Sequence, residues 1–377
     1  MEHNQQVGSG GEAKATFASG DGLAKQISGD ENSAWLDLIR GLAAAVVVLT
    51  HLRGFFFAKW SDLEPASQTP VNFGLFFVTR LGREAVIVFF VLSGYLVGGN
   101  ALRKLFQGRL EARSYWAHRL SRLYTVLIPA LLITALADLA RRHWLGRTDF
   151  DSALGLKGLV TNLFFLQEVA GPSYGSNSPL WSLAYEFWFY VFGGCFISAL
   201  AVRSHRGVRL LSAVVVAASL WMMWPAMAFY LPMWCLGAGL RVWPVKIGPR
   251  VGSICALLFF GGLVISTRHL TIATDYLVTA GIGGVIVWLG NREMRFASLR
   301  QFAHFLASFS FSAYAIHYPV VGCLVAWLSP HRRTTAGWLD WAEWGGLALL
   351  VFAFCWLIYF CFERHTGCVR QWLDVKS

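Results

Sequence analysis

The sequence predicts an all-α polytopic membrane protein of about ten transmembrane helices with both termini cytoplasmic. Three observations predict it. The 377 residues are 56% hydrophobic and only 14% charged. Mean hydropathy is +0.50. Apolar runs recur from Trp35 to Phe362, each near the roughly 20 residues a helix needs to cross a bilayer. This composition excludes an ordinary soluble domain, and the domain count usually read from length does not apply.

Residues 1–33 are polar and lack an apolar core. They read as a disordered cytoplasmic tail rather than a cleavable signal peptide, which makes the first span a retained anchor. Residues 34–370 form one membrane domain, and 371–377 a cytoplasmic C-terminal tail. Spans are expected near 35–57, 84–100, 124–140, 180–202, 208–224, 226–242, 251–267, 272–290, 303–329 and 342–362. The apolar stretches 72–83 and 157–170 are too short to span and read as interfacial or re-entrant segments on the outer side. In this scheme the inner segments hold 20 Lys and Arg and the outer segments 11, with Arg40 inside a span. The bias favours both termini inside.

The net charge of +11 is explained by this topology, and nucleic acid is not an expected partner. Seven cysteines show no metal-ligand spacing; they read as small buried residues, with no metal site implied. Eight tryptophans (60, 144, 181, 221, 224, 338, 341 and 344) fall near the outer boundary. An interfacial aromatic belt accounts for them; a sharper reading has one or two stacking on a sugar ring.

Two ionisable residues in the first span stand out, because charge in lipid is costly and marks function. Arg40 and His51 are eleven residues apart. Eleven steps return within roughly 20° of the starting direction and cover about 16 Å along the helix. One face therefore carries a fixed cation near the inner edge and a titratable base about two-thirds of the way out. A neutral imidazole there accepts a proton from a hydroxyl; the plainer reading is a core histidine bonded to a helix carbonyl. Arg40 either pairs with Asp37 one turn earlier or presents a cation to phosphate. The gap of about 16 Å is of the order that separates thioester from pyrophosphate in an acyl-coenzyme A.

Arg119 and Arg122, three apart in the most basic inner loop, share a helix face and suit a nucleotide phosphate; ordinary inner-face charge with lipid headgroup contact is the alternative. Glu186 follows a helix start at Ser178-Pro179. If that helix enters from the outer edge, Glu186 lies about 10 Å below it, level with His51. A carboxylate–imidazole pair then becomes possible, against an ion pair with Arg80 or Arg83. His317 reads as structural, on a helix kinked at Pro319. Asp138 and Glu363 sit at span ends, solvated or paired, and Arg83-Glu84 reads as a helix-entry salt bridge.

The pattern Asp37-x-x-Arg40-Gly41 followed by His51 resembles the opening signature of the membrane acyltransferase-3 family, the integral-membrane glycan O-acyltransferases. The segment from Val86 through Ser93-Gly94-Tyr95-Leu96 resembles its second span. Arg119-x-x-Arg122 before Pro129 resembles its arginine pair, and Trp181-Ser182-Leu183-x-x-Glu186 its Trp-Ser-Leu-x-x-Glu block. Ser310 to Pro319 and Phe362-Glu363 resemble its late blocks. Departures are Ala85 where Gly is usual, His365 where Pro often follows, and the distance of Pro129 from Arg122.

The resemblance implies a ten-helix fold and transfer of an acyl group, usually acetyl, from cytoplasmic acyl-CoA to a sugar hydroxyl. His51 would be the catalytic base, with Arg40, Arg119 and Arg122 serving the donor. The expected partners are a glycan or lipid-linked saccharide acceptor and membrane lipids, with a homo-oligomer or polysaccharide-assembly proteins as further possibilities. The expected location is a bacterial inner membrane. An acyl-enzyme route through His51 or Thr50 stays open beside direct transfer. The rival class is a transporter or exporter of a lipid-linked or small organic substrate, whose matching broken helices are not visible in the sequence.

Overall fold

The computed structural model describes residues 34–109, 111–200, 205–243, 245–329 and 331–375. The expected disordered tail, 1–33, lies outside them. Among the described residues, nine helices are long and apolar enough to cross a membrane. The chain is a polytopic helical membrane protein, and its outer surface fits a lipid solvent: Leu210, Leu257 and Leu349 are about 70% exposed.

Helix α1 (Ala34–Phe56) carries both intramembrane charges. A loop with the short helix α2 (Pro70–Val78) leads into α3 (Gly82–Ser93), one π turn (Gly94–Gly98) and α4 (Gly99–Phe106). Helix α5 (Ala112–Leu145) returns, followed by the short α6 (Leu156–Leu163) and by α7 (Leu180–Leu200). Then come α8 (Arg206–Met223), α9 (Leu231–Val242), α10 (Pro249–Ser266) and α11 (Ile272–Gly290). The chain ends with α12 (Ala297–Ser308), α13 (Ser310–Leu328), α14 (Trp338–Cys361) and α15 (Thr366–Val375).

Polar contacts between the helices gather at two ends of the protein. The arginine end gathers Arg40, Arg122 and Glu363, which lie within electrostatic reach of one another. Helix α15 packs there: Arg113 donates to the Leu373 carbonyl at 2.9 Å, and Thr125 and Thr366 hydroxyls meet at 3.0 Å. The stretch from 371 to Val375, expected as a tail, thus continues a helix. The histidine end is closed by loops. Arg333 N–H donates to the Phe56 carbonyl at 2.8 Å, and buried Asn72 donates to the Ser67 and Ala336 carbonyls at 2.7 and 2.9 Å.

The segment expected near 226–242 is present as the apolar helix Met227–Val242, shorter than the nine others and opened by a 3₁₀ turn at Met227–Phe229. Two expectations need correction. The span expected over 303–329 is broken at Phe309, ten residues before Pro319. Glu363 accounts for the break: its carboxylate accepts from Ser312 N at 3.0 Å and Ser312 Oγ at 2.6 Å, capping the orphan donors at the start of α13. Pro319 stays inside α13. It lacks the N–H that would reach the Ala315 carbonyl, and Asn177 Nδ2 donates to that carbonyl instead at 2.9 Å. Second, the cysteines are not uniformly buried: only Cys355 is, while Cys235, Cys361 and Cys368 are exposed.

Close approach explains the small residues of two sequence blocks. A Cβ on Gly41 would stand 3.0 Å from the Leu306 carbonyl carbon, so Gly41 lets α12 seat against the first turns of α1. A Cβ on Gly94 would collide with the Trp234 carbonyl. There α9 lies directly on the π turn, a distortion often found at functional sites.

Candidate active site

His51 is half-buried on α1, and the residue facing it is His317 of α13 rather than Glu186. His51 Nδ1 and His317 Nε2 are 2.8 Å apart, with ring centroids 5.0 Å apart. His317 is fully buried. Its Nδ1 lies 2.8 Å from the Ala313 carbonyl and 2.8 Å from the Tyr314 carbonyl. A carbonyl only accepts, so His317 Nδ1 carries the hydrogen. A neutral His317 then offers a bare Nε2, and His51 Nδ1–H donates to it. A neutral His51 is left with its own Nε2 unprotonated. One pair of helix carbonyls thus sets the tautomer of two rings, and the outcome is an imidazole ready to accept a proton.

Glu186 sits elsewhere. Its Oε1 accepts from Ser93 Oγ at 3.1 Å and, in a short hydrogen bond, from the Tyr190 hydroxyl. Trp234 Nε1 donates to Ser93 Oγ at 3.3 Å. The expected Glu186–His51 pair is therefore absent, and the cause is where α7 begins. Leu180 is fully buried, and its carbonyl accepts from the equally buried Gln167 at 2.9 Å. The preceding chain turns buried side chains inward at Asn162, Phe165, Gln167 and Asn177, so α7 starts among buried residues. Ser182 is level with Tyr314, to which it is hydrogen-bonded. Glu186 is about 6 Å further toward the arginine end.

The arginines converge as their spacing suggests. Tyr190 lies under the Arg119 guanidinium, 5.8 Å from ring centroid, and Arg122 lies 5.5 Å over Phe311. Arg40 takes the first of the two roles considered for it. It pairs with Asp37 at 2.7 Å, Asp37 also meets His304 at 2.8 Å, and Arg40 stays within electrostatic reach of Arg122. The Nε atoms of Arg40 and Arg119 are both buried without a partner. Arg40 and Arg122 face one carboxylate, Glu363, and Arg119 stands beside Arg122 at Tyr190; with two unused buried donors, the cluster has the chemistry to take a phosphate group.

Other buried charges pair away from both clusters. Asp138 is fully buried, accepting from Ser176 N at 2.7 Å and from Arg141 at 3.4 Å. Arg83 does not bridge to Glu84, since adjacent helix residues point apart; it pairs with Asp275 of α11. Trp181 belongs not to a boundary belt but to an inner cluster, with Tyr185 at 4.9 Å and Tyr230 at 5.9 Å. From arginine end to histidine end, polar groups follow in order: Arg122 and Arg119, Tyr190 with Glu186 and Ser93, Ser182 with Tyr314, then His317 with His51. Sequence reasoning did not place His317 beside His51. The available signal was its register on a helix rich in Ser and Tyr, but nothing local showed which helix α13 faces.

The family described as an acyltransferase domain matches residues 33–360. An acyltransferase, MdmB of Streptomyces mycarofaciens, is 31% identical over 126 residues, 32% of this chain and 30% of that protein. An O-acetyltransferase, PaAT-1 of Phomopsis amygdali, is 23% identical over 364 residues, 78% of this chain and 73% of that protein. No solved structure matches the chain. The chain belongs to this acyltransferase family.

Proposed function

We propose that this family member is a membrane O-acyltransferase. It moves an acyl group, most simply acetyl, from acyl-CoA bound at the arginine end to a hydroxyl of a glycan or lipid-linked saccharide reached from the histidine end. The observation that carries this reading is the 2.8 Å His51–His317 contact, with His317 Nδ1 anchored on two carbonyls.

Arg40, Arg119 and Arg122 hold the donor's phosphates. His51 Nε2 takes the proton of the acceptor hydroxyl as its oxygen bonds to the thioester carbonyl carbon. The carbon–sulfur bond then breaks, and the His51 imidazolium returns the proton to the leaving thiolate, so the products are the ester and the free thiol. His317 Nε2 accepts from His51 Nδ1–H throughout and stabilises the transient imidazolium, as a buried acceptor does for catalytic histidines elsewhere. General-base help of this kind is worth roughly 10²–10⁴-fold. Glu186 fastens Tyr190 beneath Arg119 and so serves the donor side. The arginine end faces the cytoplasm of a bacterial inner membrane, where acyl-CoA is made.

The family match favours transfer over the exporter reading. The test is acyl transfer from labelled acetyl-CoA to the glycans of a host membrane, by wild type and His51→Ala. Loss of glycan label in the variant supports the mechanism; full labelling by the variant defeats it.

A further inference from the structure

The arginines of the histidine end fall into two groups. Arg83, Arg141, Arg142, Arg147 and Arg333 each pair with a carboxylate. Arg53, Arg80 and Arg332 have no ion-pair partner among the described residues. The acids of the neighbouring loop, Asp62 and Glu64, bond Ser61 and Thr334 instead.

The backbone brings these three arginines together. Arg53 Nε donates to the Thr79 carbonyl at 3.3 Å, which seats its guanidinium next to Arg80 and 5.1 Å over the Phe76 ring. Arg333 N–H donates to the Phe56 carbonyl at 2.8 Å, and Ala58 N–H donates to the Arg333 carbonyl at 2.9 Å. Those two bonds tie Arg332 to the end of α1. Arg53 is consequently within electrostatic reach of Arg80 and Arg332, and both charges acting on it are positive. Like charges held together repel, and an anion between them turns that cost into attraction.

The cluster stands beside the proposed base and beside lipid. Arg332 is within electrostatic reach of Tyr318, whose ring is edge-on to His51 with centroids 5.0 Å apart. Helix α2 ends at Val78, just before Arg80. It buries Asn72 and Phe76 but leaves Val71, Phe73 and Val78 each more than half exposed. An apolar helix face open next to cations is the arrangement of a helix lying at the headgroup level of a bilayer.

We propose that Arg53, Arg80 and Arg332 bind the phosphoryl link between a saccharide and its lipid chain, with the chain along α2 and the sugar toward His51. A lone carboxylate on a glycan would answer only one of the three charges. A pyrophosphate link carries charge on each phosphoryl group and offers several oxygens to forked guanidiniums. The proposal deepens the acceptor reading above and rests on it for the sugar. The phosphate site stands on the arginines alone.

The experiment is calorimetric titration of the full chain in phosphatidylcholine nanodiscs with farnesyl diphosphate or farnesol, against empty nanodiscs, with coenzyme A present to fill the donor site. Wild type should bind the diphosphate at least about tenfold more tightly than the alcohol, the margin a charge-assisted hydrogen bond supplies. The double variant Arg80→Gln/Arg332→Gln should lose that margin. Both positions are exposed, so its melting temperature should match wild type. Equal binding of the diphosphate by wild type and double variant overturns the proposal. Equal affinity of wild type for dihexanoyl phosphatidylglycerol marks a phospholipid headgroup site and overturns it too. Loss of diphosphate binding in the double variant, in a protein that acylates no glycan, keeps this site and defeats the acceptor reading. Glycan acylation with one acceptor KM for wild type and double variant does the reverse.

Discussion

His51 Nδ1 faces His317 Nε2 at 2.8 Å, and the two carbonyls behind His317 decide which nitrogen of each ring carries hydrogen. The tautomer of His51 is thereby written into the backbone of another helix, α13.

His51→Ala should lower kcat for acyl transfer by roughly 10²–10⁴-fold, the usual worth of a general base. The KM for the donor should stay near wild type, because the arginines are untouched. Steady-state kinetics on purified, reconstituted protein checks both. A normal kcat would remove His51 from the chemistry.

His317→Ala should lower kcat by at least about tenfold while leaving donor and acceptor KM unchanged, because His51 loses the acceptor that fixes its tautomer. His317→Gln should retain more activity, since its Oε1 can accept from His51 Nδ1–H. If His317 only packs the core, both variants would lower thermal stability and leave kcat per folded molecule intact.

Arg40→Ala, Arg119→Ala and Arg122→Ala should each raise the KM for acetyl-CoA by about 10- to 100-fold, the range for a lost charge-assisted hydrogen bond. Acetyl-pantetheine, which lacks the pyrophosphate, should be used equally by variants and wild type. A variant that loses both donors alike would place its arginine outside the phosphate site.

Glu186→Gln and Tyr190→Phe should act on donor KM and be non-additive, because one hydrogen bond joins the two side chains. A double-mutant cycle should give a coupling of about 0.5–3 kcal/mol. Additive effects, or a loss in kcat alone matching His51→Ala, would return Glu186 to the base.

Gly94→Ala should destabilise the fold, since its Cβ would collide with the Trp234 carbonyl. Overpacking of this kind costs about 1–3 kcal/mol. The readout is a lower melting temperature of the detergent-solubilised protein, and an unchanged one would mean that α9 and the π turn separate easily.

The arginine side was legible because its logic is one-dimensional. Arg40 and His51 share a face by helix periodicity, and Arg119 and Arg122 do the same, so spacing alone reports them. The Glu186 expectation failed for a different reason. Its depth was counted from a helix start at Ser178-Pro179 on the outer edge, and only the packing of Gln167, Asn177 and Leu180 shows that α7 begins among buried residues. The break at Phe309 was equally invisible, because the cap that causes it, Glu363, lies 51 residues beyond Ser312.

The sequence by itself determined the solvent, the number of passes to within one short helix, and the charged residues worth watching. Lipid forces apolar length and penalises every buried charge, and both are properties of single segments. Tertiary structure alone decided the partners: His317 for His51, Tyr190 and Ser93 for Glu186, Asp275 for Arg83. Partner choice depends on which helix faces meet and at what depth, and that is fixed by packing between segments far apart in the chain.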